Sequence, residues 1–359
     1  MFQKIKAVAV SSLIFMTFQA CSGNKEVSSD TADFQKPIIK LVRKDAERKV
    51  EVVIDGQLFT AYYYPETIAK PVLYPIRSLG GADLTRGYPL DPRPGERVDH
   101  PHHIGHWFNY GDVNGLDFWN NSDAIPAEKK SGYGTIIPSE EIELKEMGDK
   151  AELTVGMDWI GPDGRILLKE KTKFVFQAEG NKRIIDRIST ITAYGLDVDM
   201  KDNKEGMFAI RVARELEHPS DKPELFTDAN GIATAVPTLN NEGVTGKYRS
   251  SEGKVGDEVW GTRGKWVTLT GVIKGEQVAM TILDHPSNPG FPTYWHARGY
   301  GLFAANPLGQ KALSNGKETL NFKLAEGKSA TFRYRILIHS GTSVTDELMN
   351  TEFAAFSKK

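Results

Sequence analysis

Six of the eight histidines in this 359-residue chain fall in two short stretches. His100, His102, His103 and His106 lie in DHPHHIGHW, and His285 and His296 in DHPSNPGFPTYWHARGYG. Imidazole is the side chain that titrates nearest neutral pH, so it serves as general acid, general base or metal ligand. Asp99 and Asp284 each precede a His-Pro pair, which predicts two similar turns. As acid/base candidates we take His102, His103, His106, His285 and His296 together with Asp284. Glu205 joins them, a carboxylate just ahead of an apolar run that carries Arg211 and Arg214. Groups that act on one reacting centre must share it, so the two stretches are expected to meet in space.

The even spacing of His100, His102 and His106 would put them on one face of an extended strand. A divalent metal held by these three therefore stands as an alternative to a metal-free set of hydrogen-bonding histidines. The pattern requires no cofactor, and the paired-cysteine and helix-turn patterns that mark zinc sites are absent from the sequence. Aromatic and amide side chains crowd the same stretches. Trp107, Tyr110, Asp117, Trp119, Asn288, Trp295, Arg298 and Asn306, with Arg77 and Arg211, are the candidate substrate-binding residues. A pyranose offers C–H faces to flat rings and hydroxyls to amides, carboxylates and guanidinium groups, so a carbohydrate or sugar-derived partner is expected.

These residues need a scaffold, and the remaining pattern is that of strands. Lys49 to Ile54 and Leu58 to Tyr64 flank Asp55-Gly56; Leu153 to Trp159 and Ile166 to Phe176 flank Gly161 to Gly164. Both read as antiparallel hairpins, and Leu153, Val155, Met157 and Trp159 share one buried face. Arg183 to Ala193, Phe208 to Ala213, Trp266 to Ile273, Gln277 to Leu283 and Ala330 to Ser340 are further strands. Only Val344 to Phe356 has helical spacing, with Ser343 as its expected N-cap. Tyr74 to Trp119 and Asp284 to Gly309 show neither period and are expected to be long functional loops. Nothing divides residues 36–359, which predicts an all-β fold: one large antiparallel β-sandwich with a single C-terminal helix.

The start of the chain has a different logic. Lys4 and Lys6 precede an uncharged apolar run, Ala7 to Phe18, which is the layout of a signal peptide and too short for a stable membrane span. Cys21, the only cysteine, follows at once. We expect residues 1–20 to be removed, Cys21 to carry lipid, and residues 21–35 to form a polar tether. That predicts an exported protein anchored by lipid to the outer membrane, on its periplasmic or surface face, with no other membrane contact. A net charge of -2 with dispersed Lys and Arg argues against a nucleic-acid partner.

LYPIRSLGGADLTRGYPLDPRPGERVDHPHHIGHWFNYGDVNGLDFW, KEGMFAIRVA and DHPSNPGFPTYWHARGYGLFAANPLG together resemble a bacterial secreted family of unassigned function, often labelled PmoA-like or methane oxygenase. That label implies a membrane-embedded monooxygenase, which a chain without spanning segments contradicts, so we take it as a misnomer. The β-rich layout is also similar to the supersandwich of galactose mutarotase-like proteins. The expectation is a carbohydrate-active enzyme using histidine and carboxylate acid/base chemistry on a glycoside or keto sugar, as lyase, hydrolase or epimerase. The alternative is a non-catalytic glycan-binding surface lipoprotein.

Overall fold

Asp55 and Gly56 both take positive φ, 50° and 80°, in the two-residue turn that joins strands Lys49–Ile54 and Gln57–Tyr63. This is the turn geometry whose twist suits a tight hairpin, and the Asp-Gly pair supplies it at little steric cost. The computed structural model describes residues 36–222, 225–228, 232–234 and 240–359. The expected signal segment, Cys21 and tether therefore lie outside the described residues.

Two eight-stranded antiparallel sheets make a β-sandwich. In spatial order the first sheet runs Ile39–Lys44, Lys49–Ile54, Gln57–Tyr63, Val72–Leu73, His106–Tyr110, Gly206–Arg211, Leu302–Asn306 and Tyr294–Ala297. The second runs Lys247–Ser250, Trp266–Ile273, Glu276–Leu283, Ser329–Ser340, Lys182–Ala193, Ile166–Glu179, Lys150–Ile160 and Thr135–Glu146. One continuous core lies between them, built from alternate residues of each strand: Val50 and Val52 on one side, Leu153, Val155, Met157 and Trp159 on the other. The helix Asp346–Phe356 packs Met349 and Phe356 on the outer face of the second sheet against Ile184, Trp266 and Leu337. Its N-cap is Thr345, whose hydroxyl accepts from Leu348 N at 3.2 Å, and not the expected Ser343. Among the described residues no helix is long and apolar enough to cross a membrane.

The two stretches expected to be loops correct that reading. Each contributes strands to the middle or edge of the first sheet: His106–Tyr110 from one, Tyr294–Ala297 and Leu302–Asn306 from the other. All three are buried at every position, so they carry no alternation of apolar and polar residues to reveal them. Burial on both faces has a cause. The inner face joins the main core, while Trp107, Ala209, Leu302 and Ala304 on the outer face form a second apolar cluster with Val72, Ile104 and Trp119. That outer face is where the histidine chemistry gathers.

Candidate functional site

Register sets the floor of the site. His296 pairs with Ala304, Ala304 with Ala209, and Ala209 with Trp107, so one row across four strands reads His, Ala, Ala, Trp on the outer face. Two alanines stand between the imidazole and the indole, and all four residues of the row are buried.

Above this floor, residues 99–103 form a turn and not a strand. His103 N donates to His100 O at 2.9 Å, and His100 takes a left-handed φ of 45°. Two guanidiniums hold the turn. Arg86, buried, donates to the Asp99 carboxylate at 2.7 Å and to the carbonyls of Asp99, His100 and His103 at 2.8 to 3.1 Å. Arg211 adds a second clamp, with Nη2 donating to Asp99 Oδ1 at 2.7 Å and Nη1 facing His103 Nδ1 at 3.1 Å. The turn stacks its rings in a column: Tyr300 on His100 at 5.4 Å, His100 on His103 at 4.8 Å, His103 on Trp107 at 5.1 Å. Trp119 and His102 meet His103 edge-on.

The hydrogen bonds fix the tautomers. Arginine can only donate, so His103 Nδ1 accepts and Nε2 carries the proton. That Nε2–H is buried with no partner among the described residues, as are Trp107 Nε1 and Trp119 Nε1. His296 donates Nδ1–H to Lys204 O at 3.1 Å, which leaves the lone pair on Nε2. Burial drives His296 down to about 3, with the charges of Lys204 and Arg298 adding to the effect, and His103 also falls well below its ordinary value. Both are neutral imidazoles. The His100 side chain is 41% exposed and its Nδ1 lies 3.0 Å from Asp99 Oδ2. Burial would raise the Asp99 carboxyl, but the hydrogen bond from His100 and the Arg211 and Arg86 guanidiniums outweigh it and hold the acid ionised.

Carboxylates complete the rim. Glu205 pairs with Lys204 at 2.8 Å and lies within electrostatic reach of Tyr300 and Asp117. Asp117 accepts from Trp119 N and from Asn120, and burial pushes its pKa up. Tyr110 and Asn306 serve the same rim from behind. The Tyr110 hydroxyl donates to Lys201 O and accepts from Asn203 N, while Asn306 donates to Asn203 O and Lys204 O, so both pin the segment that presents Glu205. Beside Tyr300 a cavity of 470 Å³ opens, lined by Arg97, His218, Asp257, Trp260 and Arg298. Arg298 spans the rings of Trp260 and Tyr300 at 5.5 and 5.9 Å.

Several expected residues are placed elsewhere. His106 points into the inter-sheet core, where Nδ1 donates to Ala209 O at 2.9 Å and Nε2 faces Arg187 at 3.3 Å. It cannot share a metal with His100 and His102, because strand alternation turns it to the opposite face of the sheet from its neighbour Trp107. Among the described residues no cluster of three or more His, Cys, Asp or Glu has the geometry to hold a metal ion. Asp284, His285 and Asn288 follow the end of strand Glu276–Leu283 in the second sheet, beside the C-terminal helix. Asp284 accepts from Asn288 Nδ2 and Thr293 N, Asn288 exchanges hydrogen bonds with Arg333, and His285 meets the Phe356 ring at 5.1 Å. Only His296 of the second stretch's acid/base candidates reaches the cluster. Trp295 faces inward to the core, and Arg77 pairs with Asp83 on a neighbouring turn. Conversely, Arg86, Trp260 and the pairing of Asp99 with His100 were not singled out from sequence. The adjacency of Asp and His was visible there, but Arg86 and Trp260 left no local signal.

A family model described as a family of unknown function, DUF6807, matches residues 49–354. No curated protein sequence matches. Among solved structures, the chain is similar to a GH36 α-galactosidase from Geobacillus stearothermophilus (9% identity, 84% of this chain and 41% of that one, TM-score 0.39). It is also similar to the α-galactosidase from Lactobacillus brevis (10%, 84% and 39%, TM-score 0.37). A third likeness is the Slr1438 protein of Synechocystis sp. PCC 6803 (11%, 86% and 96%, TM-score 0.28). This chain spans about two fifths of the length of either galactosidase.

Proposed function

The chain belongs to DUF6807, a family of unknown function, and from that premise we propose that it is a carbohydrate-active enzyme whose site is the outer face of the first sheet. The observation that carries the reading is the pair of Asp99 and His100. A half-exposed imidazole is oriented by an ionised carboxylate, which is itself held by two buried arginines. With Nδ1–H committed to Asp99, Nε2 of His100 is the nitrogen that exchanges a proton with substrate. His296 Nε2, kept neutral, accepts from a sugar hydroxyl or takes the C–H proton beside a keto group. Glu205 orients hydroxyls, and Arg298 steadies negative charge on an enolate oxygen. In an elimination His296 holds the proton taken from carbon while His100, entering protonated on both nitrogens, gives its Nε2 proton to the leaving oxygen; exchange with solvent then resets both imidazoles, so no external reagent is consumed.

Turnover of a panel of glycosides and keto-glycosides, set beside calorimetric binding, tests the assignment. His100→Gln is expected to lower turnover about a hundredfold or more while affinity changes little, and His296→Gln to do the same. Loss of affinity in both variants, with no turnover by the wild type on any member of the panel, would replace the enzyme by a glycan-binding protein. We also propose the exported, lipid-anchored location read from the first residues. Incorporation of labelled palmitate should vanish in Cys21→Ala, and its persistence would refute the anchor.

A further inference from the structure

A second cavity, of 280 Å³, lies on the other side of the histidine turn. Its wall includes Lys70, Tyr88, His102, Ile104 and Ser122. Lys70 is 2% exposed and its ammonium donates to a single acceptor, His102 O at 2.7 Å, while resting 5.5 Å over the Trp107 ring. Among the described residues no carboxylate is within ion-pair distance of it. Two further polar atoms of residues on this wall, His102 Nε2 and Ser122 Oγ, are buried without partners among the described residues. A buried cation without a counter-ion is costly, and so is each buried polar atom left unbonded. All three residues line one cavity, whose wall also carries apolar Ile68, Leu90 and Ile104 beside polar Thr67, Asn121 and Asp123.

We infer that this cavity is a binding site for a small carboxylic acid, its carboxylate received by Lys70, His102 and Ser122 and its carbon body by Ile68, Leu90 and Ile104. It is distinct from the sugar-facing cleft and does not depend on the catalytic reading. Arginine would grip a planar anion more specifically, but a lysine in an apolar wall gives a point charge to which one carboxylate oxygen suffices. Burial lowers the Lys70 pKa to about 7, partly offset by the Asp117 carboxylate, and Lys70 in turn disfavours charge on His102. Asp123, on the cavity rim, and Lys130, which donates to Ser122 O, are the other charges facing the site. Binding an anion must raise the Lys70 pKa, so affinity should fall by up to about tenfold per pH unit above 7.

Calorimetry on the full chain with butyrate, acetate, butyramide and inorganic phosphate tests the site. Butyrate is expected to bind, acetate more weakly, and the neutral amide not at all. Ser122→Ala should weaken butyrate about three- to tenfold, and Lys70→Met should abolish binding. If Lys70→Met does not fold, the Ser122→Ala result and the pH dependence carry the decision. Butyramide binding as well as butyrate, or no acid binding to folded wild type, would overturn the inference and leave Lys70 a neutral amine capped by His102 O. Phosphate binding tighter than butyrate would overturn the carboxylate assignment. Because the readout is binding and not turnover, neither outcome bears on the reading of His100.

Discussion

His103 and His106 are three residues apart and end on opposite faces of one sheet, with opposite degrees of completion. On the inner face, His106 joins a closed network. Arg187 donates to Glu170 at 3.0 Å and to Ser189 at 2.9 Å, and Glu170 also accepts from Trp159 and Thr172. Arg187 completes its contacts over the rings of Phe108 and Phe174. On the outer face, His103 Nε2, Trp107 Nε1, Trp119 Nε1 and His102 Nε2 have no partner among the described residues. Both regions are largely buried and aromatic. What differs is that the inner network satisfies its own members, whereas the outer one leaves buried polar atoms without a partner among the described residues.

The comparison breaks most severely if a member of the closed network is removed. Arg187→Ala strands the Glu170 carboxylate in the core, and about 3 to 5 kcal/mol of stability should be lost, measured by urea denaturation. A loss under about 1 kcal/mol would mean that the inner network is no more committed than the outer. Smaller for each histidine and pH unit is the acid dependence. His103, His106 and His296 all have folded pKa values pushed down by burial from 6.5. As pH falls below about 6.5 the unfolded chain takes up protons that the folded chain refuses, so stability present above that pH is lost on acidification. Each histidine contributes up to about 1.4 kcal/mol per pH unit, for His296 down to about 3. Denaturation curves between pH 4 and 7 should show this slope, and His106→Gln should flatten it; an unchanged slope would place the titrating groups elsewhere. The smallest effect sharpens the contrast. The Tyr62 hydroxyl has no partner among the described residues inside the inter-sheet core, so Tyr62→Phe should raise stability by about 0.5 to 1 kcal/mol and leave turnover and butyrate binding untouched. A destabilised variant would show that the hydroxyl has a partner after all.

Much of the sandwich was legible in the sequence because its outer strands alternate. Lys150–Ile160 buries Leu153, Val155, Met157 and Trp159 against one core and offers its other side to solvent, so its period can be read. His106–Tyr110 cannot be read that way, being covered on both faces, and its five residues resembled a loop. The same burial explains the errors at the site. Residue type marked the DHPHH turn as chemical, and the turn is indeed where the rings stack. Which histidine faces outward, however, depends on where the strand begins, and that is set by Gly105, whose φ of 54° brings the chain against Leu73 O where a Cβ would collide. The repeated Asp-His-Pro suggested two equivalent turns. Only the first has two guanidiniums to hold it, and Arg86 and Arg211 come from segments with no sequence relation to the motif.

The pairing of His106–Tyr110 with Gly206–Arg211 also dictates an order of assembly. The bond from His106 to Ala209 O spans 103 residues, and Arg211 must arrive on that same strand before it can clamp Asp99. A chain emerging from its N-terminus therefore carries the histidine turn for a long interval before its second clamp exists. Non-local pairing of this kind is slow, and it exposes unpaired strand edges while it waits. The half of the chain that contains the histidine motif is therefore unable to build the site alone.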